Sequence, residues 1–245
     1  MFLRPFILTL AAGLATVLGA LIVFFTKGYR PRLLAFTLTF AASIMITVSI
    51  TELIPEALFT LIKHYDFILS FILIISFILI GFIISFLINK IIPEGSNHLY
   101  KIGLFAMIAL MFHNLPEGII TFMAGYKNIT LGLSLAFAIA LHNIPEGISI
   151  AMPIYYATHQ KSKAIFLAFL SGLSEPFGAI LTFFFLKPVI NNFTLSYMLL
   201  VTAGLMLHIA ITKLIPEASV YHYPKTQVLA YSLGTVIMIL SVWLF

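Results

Sequence analysis

Apolar runs long enough to cross the hydrocarbon core of a bilayer, which takes about 20 residues of helix, follow one another almost without pause from Phe6 onward. No other feature constrains the fold as strongly. A soluble domain devotes about a quarter of its residues to charge, whereas this chain of 245 residues is 62% hydrophobic and 9% charged. So few charges cannot clothe a water-soluble surface, and the apolar excess must face lipid. The expected fold class is therefore all-α: a polytopic membrane protein forming a single transmembrane domain over residues 1–245.

The runs divide into eight spans of about 20 residues or more, at roughly 6–26, 33–62, 66–90, 100–125, 129–156, 162–186, 195–219 and 226–245. They fall into three groups, about 6–90, 100–156 and 162–245, joined by short loops that hold no soluble domain. The basic cluster Lys27, Arg30, Arg32 follows the first apolar run. A cleaved signal carries its positive charge ahead of the run, so this segment reads as a transmembrane helix. With the N-terminus outside, one face of the membrane holds Lys27, Arg30, Arg32, Lys90, Lys101, Lys161, Lys163 and Lys225, and the other Arg4, Lys63, Lys127 and Lys187. That bias of eight against four puts both termini outside by the positive-inside rule. The formal charge of +5 thus reflects orientation among lipids, and no nucleic-acid partner is expected.

The chain also repeats itself. Thr51-Glu52-Leu53-Ile54-Pro55-Glu56-Ala57 returns as Thr212-Lys213-Leu214-Ile215-Pro216-Glu217-Ala218, an offset of 212 − 51 = 161 residues. His113-Asn114-Leu115-Pro116-Glu117-Gly118-Ile119 in the fourth span becomes His142-Asn143-Ile144-Pro145-Glu146-Gly147-Ile148 in the fifth. The repeats are displaced by five spans and by one, and an odd displacement reverses direction through the membrane. Both are inverted, giving a 3+2+3 plan of the kind that secondary transporters build around a midplane site.

His113, His142 and Glu175 each fall near the middle of their spans. An ionisable group at the bilayer centre costs about 2.5–3.5 kcal/mol, so Glu117, Glu146 and Glu175 together cost roughly 9 kcal/mol if unpaired. No Lys or Arg lies near enough along these spans to pair with them, and a divalent cation is the missing partner. His113 and Glu117 share one helical face, as do His142 and Glu146. Facing each other across two antiparallel helices, they offer two imidazoles and two carboxylates to one ion. With no cysteine in the chain, such an N/O site suits Zn²⁺, Fe²⁺, Mn²⁺ or Co²⁺ and not hard Ca²⁺. Asn114, Asn143 and Glu175 stand beside it as a second site sharing Glu117 and Glu146. Pro116, Pro145 and Pro176 are expected to break their helices there and free carbonyls, and Gly118, Gly147 and Gly178 to let the helices approach closely.

These residues resemble the ZIP (Zrt/Irt-like protein) family of metal transporters, and its bacterial zinc-uptake branch most of all, through the paired HNxPEG blocks and the 3+2+3 plan. The resemblance covers essentially the whole chain. It implies a primary metal site of His113, Glu117, His142 and Glu146, and a second site in which Asn114, Asn143 and Glu175 join the shared glutamates. It also implies uptake into the cytoplasm across the cell (inner) membrane, rocking of spans 1, 4, 5 and 6 against the rest, and a homodimer. No cofactor is expected. The ion is cargo: Zn²⁺ foremost, with Fe²⁺, Mn²⁺, Co²⁺ and Cd²⁺ also accepted by such donors. The chain departs from the family in its short loop before the fourth span, where His98 is the one histidine, in Lys213 where relatives carry an acid, and in the neutral Asn143.

Outside the centre, Glu52, Glu56 and Glu217 read first as partners of Lys213, of hydroxyls or of helix ends, and second as relays for the ion. His208 reads equally as an exit ligand or as a packed polar residue. Two other functions compete: an intramembrane metalloenzyme, which lacks a His-Glu-x-x-His block, and a proton-coupled carrier of another solute.

Overall fold

The computed structural model describes residues 2–26, 28–92, 97–186 and 190–244, with side chains to 241 in the last segment. Lys27 and Lys187, two of the charges counted for orientation, and Phe245 lie outside the described residues. Among the described residues all regular structure is helical. Seven helices are long and apolar enough to cross a membrane: α1 (Leu3–Phe25), α2 (Pro31–Ile62), α3 (Phe67–Ile91), α4 (His98–Lys127), α5 (Ile129–Thr158), α6 (Lys161–Leu186) and α7 (Asn192–Val220). A further helix, α8 (Pro224–Leu244), stands where the sequence places its eighth span.

The polar residues between the apolar runs start the helices. Asp66, Asn97, Asn128 and Asn191 each accept hydrogen bonds from first-turn N–H groups of α3, α4, α5 and α7, which would otherwise lack partners. Asn128 alone joins α4 to α5, so the two form a hairpin. His113 lies 15 residues before this turn (128 − 113) and His142 lies 14 after it (142 − 128). At a rise of 1.5 Å per residue both sit about 21–23 Å from the turn, at one depth.

The inverted repeat is visible in the backbone. α2 runs as Pro31–Val48, a π-helical turn at Ser49–Leu53, then Ile54–Ile62. α7 runs as Asn192–Ile209, a π-helical turn at Ala210–Leu214, then Ile215–Val220. The starts of all three segments differ by 161 residues (192 − 31, 210 − 49, 215 − 54). The cause is local: Pro55 and Pro216 have no N–H to close the usual i→i−4 bond, and the hydrogen-bond ladder widens ahead of them. α6 breaks at Leu173, between Lys161–Gly172 and Ser174–Leu181, just ahead of Pro176. α4 and α5, by contrast, run unbroken through Pro116 and Pro145, contrary to the expected interruptions. Both are clamped close by: a methyl on Gly118 would overlap the Glu175 backbone of α6, and one on Gly147 the Thr16 carbonyl of α1.

The helices sort into two packed bodies. α1 lies against α4, α5 and α6, while α2 packs on α8 and α7, and α7 on α3. Backbone-to-backbone approaches at glycine stay inside these bodies. Gly13 meets Gly172 between α1 and α6, and Gly81 meets Gly204 between α3 and α7; among the described residues no glycine contact joins one body to the other. α3 is the least buried of the seven helices and the most apolar, which suits a lipid-facing position.

A methyl group at position 204 would collide with the Ile78 carbonyl of α3. Gly204→Ala is therefore expected to destabilise the protein by about 1–3 kcal/mol, read as a lower melting temperature in detergent. An unchanged melting temperature would show that α3 and α7 do not need this approach.

Candidate metal centre

α4 and α5 bring His113, Glu117, His142 and Glu146 together where both helices are buried; His113 and Glu146 are fully inaccessible, and His142 and Glu117 are 2% and 3% exposed. His142 Nε2 lies 3.0 Å from Glu117 Oε1, His113 Nε2 3.0 Å from Glu146 Oε1 and 3.5 Å from Glu117 Oε1. Each histidine thus faces a glutamate of the other helix, and Glu117 bridges both rings. Zn–N and Zn–O bonds of about 2.0–2.1 Å place neighbouring donors of a tetrahedron about 3.3 Å apart, close to the separations here. Donor atoms of His113, Glu117 and His142 all lie within 4.8 Å of one another. Glu146 is tied to this trio through His113.

The second group stands alongside. Glu175, at the start of the α6 segment Ser174–Leu181, accepts a short hydrogen bond from the Asn143 amide, which also donates to the Ala12 carbonyl at 2.9 Å. With its amide turned so that nitrogen faces acceptors, Asn114 donates to Glu146 Oε2 at 3.2 Å and to the Leu110 carbonyl at 2.9 Å. All seven sequence-derived residues therefore occupy one region, in two linked groups.

Five buried polar atoms there have no partner of any kind, Nδ1 of His113 and of His142 and one oxygen each of Glu117, Asn143 and Glu175, while His113 Nε2 and Glu146 Oε1 face each other at 3.0 Å without hydrogen-bond geometry. Leaving such an atom unsatisfied costs about 1–3 kcal/mol, more if charged, so a cluster of them is a set of lone pairs arranged for something the protein itself does not supply.

A cavity of about 360 Å³ leads to this cluster, lined by Glu52 and Glu56 of α2, Glu117 of α4, His142 of α5, and Leu195 and Leu199 of α7 among others. Glu52 and Glu56 therefore face the approach to the centre, and Glu52 keeps one oxygen unpartnered. Of the first reading of these two acids, a pairing with Lys213 is absent among the described residues, while Glu56 does lie at a helix end, in the first turn of the segment Ile54–Ile62. The reading does hold for Glu217 in one respect: it is an occupied acceptor, held by His98 Nε2 at 2.9 Å and the Tyr221 hydroxyl at 2.7 Å. His208 takes the packed alternative. Its Nδ1 is 2.7 Å from Ser85 Oγ, and its ring meets Phe82 and Phe105 edge-on. Sequence alone had one signal for Glu52, the repeat, but not the depth at which α2 turns it toward α5.

A multi-pass helical membrane protein with a buried histidine–carboxylate cluster falls in the class of polytopic metal transporters. The chain belongs to the ZIP zinc transporter family, whose profile, described as ZIP Zinc transporter, matches residues 93–241. Its members are transporters and not enzymes. Relatives named Zinc transporter ZupT span nearly the whole chain. That of Chlorobaculum parvum is 38% identical, covering 99% of this chain and 98% of its own. That of Streptococcus mutans is also 38% identical (98% and 97%), and that of Campylobacter jejuni 36% (96% and 94%).

If the orphaned donors hold Zn²⁺, the folded protein gains stability by mass action, about 2.7 kcal/mol at a hundredfold excess over Kd. Zinc should raise the melting temperature of the purified protein, and His113→Ala with His142→Ala should abolish the rise. Equal protection of that variant would place the ion elsewhere.

Proposed function

We propose that the protein carries Zn²⁺, and other divalent transition-metal ions that N/O donors accept, into the cytoplasm across the cytoplasmic membrane. The reading takes the chain as one domain of eight spans with both termini outside. The observation that carries it is the arrangement of His113, Glu117, His142 and Glu146 at the end of the Glu52/Glu56 cavity. The names of the ZupT relatives support zinc as cargo.

The ion enters on the side of the 63–66 loop and Asn128, past Glu52 and Glu56, and exchanges its water for two imidazoles and two carboxylates. Asn143 and Glu175, with Asn114, bind a second ion that shares Glu117 and Glu146. On the other side the path is sealed by buried apolar side chains, among them Met45, Leu110, Met206 and Ile209. Transport requires that seal to open while the first one closes. Tight glycine packing within each body and its absence between them support a movement of α1, α4, α5 and α6 against α2, α3, α7 and α8. Binding an ion neutralises the carboxylates, which lets the loaded body move through a low-dielectric barrier that it would cross poorly when charged.

Radioactive zinc uptake by cells or proteoliposomes tests this. Flux should vanish in Glu146→Ala while the variant still inserts in the membrane, and cold competitors should rank the accepted metals. Zinc flux unchanged by Glu146→Ala would overturn the site. Glu175→Gln should lower the bound stoichiometry from two ions to one while keeping slower transport; two ions bound as before would remove Glu175 from the second site.

A further inference from the structure

The inverted repeat pairs position 52 with 213 and position 56 with 217 (213 − 52 and 217 − 56 are both 161). Both pairs line cavities between the two helical bodies. Glu52 and Glu56 line the one that reaches Glu117 and His142. Lys213 and Glu217 line a second, of about 290 Å³, together with Asn89, His98, Lys101 and Thr212. Because α2 and α7 run in opposite directions, the two cavities are equivalent vestibules on opposite faces, separated by the buried apolar seal.

Their charges are not equivalent. The vestibule of Glu52 and Glu56 is acidic. In the other, the single carboxylate among the described lining residues, Glu217, is engaged by His98 and Tyr221, and burial together with this carboxylate pushes the Tyr221 hydroxyl up, so that it remains a donor. Lys213 has its ammonium 5.4 Å from the centre of the Phe105 ring, and no carboxylate lies within ion-pair distance of it among the described residues. Lys101 adds a second positive charge to the same walls. The inverted counterpart of an acid at the mouth of the metal path is thus a cation with no carboxylate partner among the described residues.

We infer that Lys213 makes the path directional: its charge at the inner vestibule hastens departure of a divalent ion and slows reloading of the centre from the cytoplasmic face, while Glu52 and Glu56 favour loading from the opposite face. This rests on the transport reading above. A vestibule with low-dielectric walls focuses the field of a fixed charge and alters the local concentration of ions there by about tenfold or more. The lysine leaves the equilibrium across the membrane untouched; it changes the rate and apparent affinity with which one face is served.

The test is the KM for zinc measured separately from each face of protein reconstituted in one orientation. Lys213→Gln should lower the inner-face KM by about tenfold, Lys213→Glu should lower it further, and Lys213→Arg should leave it as it is. The outer-face KM should stay constant in all three, which also reports that they are folded. The unmodified protein gives an independent reading, because salt screens both vestibules: rising ionic strength should lower the inner-face KM and raise the outer-face KM. An inner-face KM unmoved by Lys213→Gln and Lys213→Glu, or the same direction of salt dependence on both faces, would overturn the inference while leaving transport standing. No zinc flux from either face of the unmodified protein would instead overturn the transport reading, and this one with it.

Discussion

Three carboxylates buried at mid-membrane without a lysine or arginine beside them are the constraint on which the structure turns. Charge in such surroundings is tolerated only when paired and hydrogen-bonded. The protein supplies part of what is needed: Glu117 and Glu146 face His142 and His113 at 3.0 Å, and Glu175 takes the Asn143 amide. It does not supply the rest, since Glu117 and Glu175 each keep an oxygen without a partner, as do Nδ1 of His113 and of His142. In the proposed reading a divalent cation completes the cluster, and close glycine contacts join α1, α4 and α6 beside it. On that reading the helical packing is organised around lone pairs that the cargo satisfies.

The second organising element is symmetry with a deliberate flaw. Proline at the second residue after each π-helical turn gives α2 and α7 the same backbone in opposite directions, and each then presents position 52 or 213 to a vestibule. Inverted geometry lets one chain build two alternately sealed approaches to a single centre. The side chains on that geometry need not match, and the exchange of Glu for Lys is where the two approaches part company.

Much of this was legible in the residues. Run length located every helix to within a few positions, because about 20 residues are needed to cross the core. The HNxPEG blocks marked the four residues that the fold brings together, His113, Glu117, His142 and Glu146. The parts that were not legible depend on how helices lie against one another. Proline marked Pro116 and Pro145 as breaks, yet α4 and α5 continue as helix through both, whereas α6 yields at Leu173. Glu52 reads along the chain as one acid among hydroxyls, and its place on the approach to His142 follows only from the distance between α2 and α5. His208 reads equally as an exit ligand or a packed polar residue until Ser85, Phe82 and Phe105 are seen against it.

X-ray absorption at the zinc edge, on purified protein loaded with one equivalent of zinc, tests the central claim most directly. The account predicts a first shell of two imidazole nitrogens and carboxylate oxygens at about 2.0–2.1 Å, with the imidazole signature lost in a variant lacking His113 and His142. A shell of oxygens alone in the unmodified protein would contradict it.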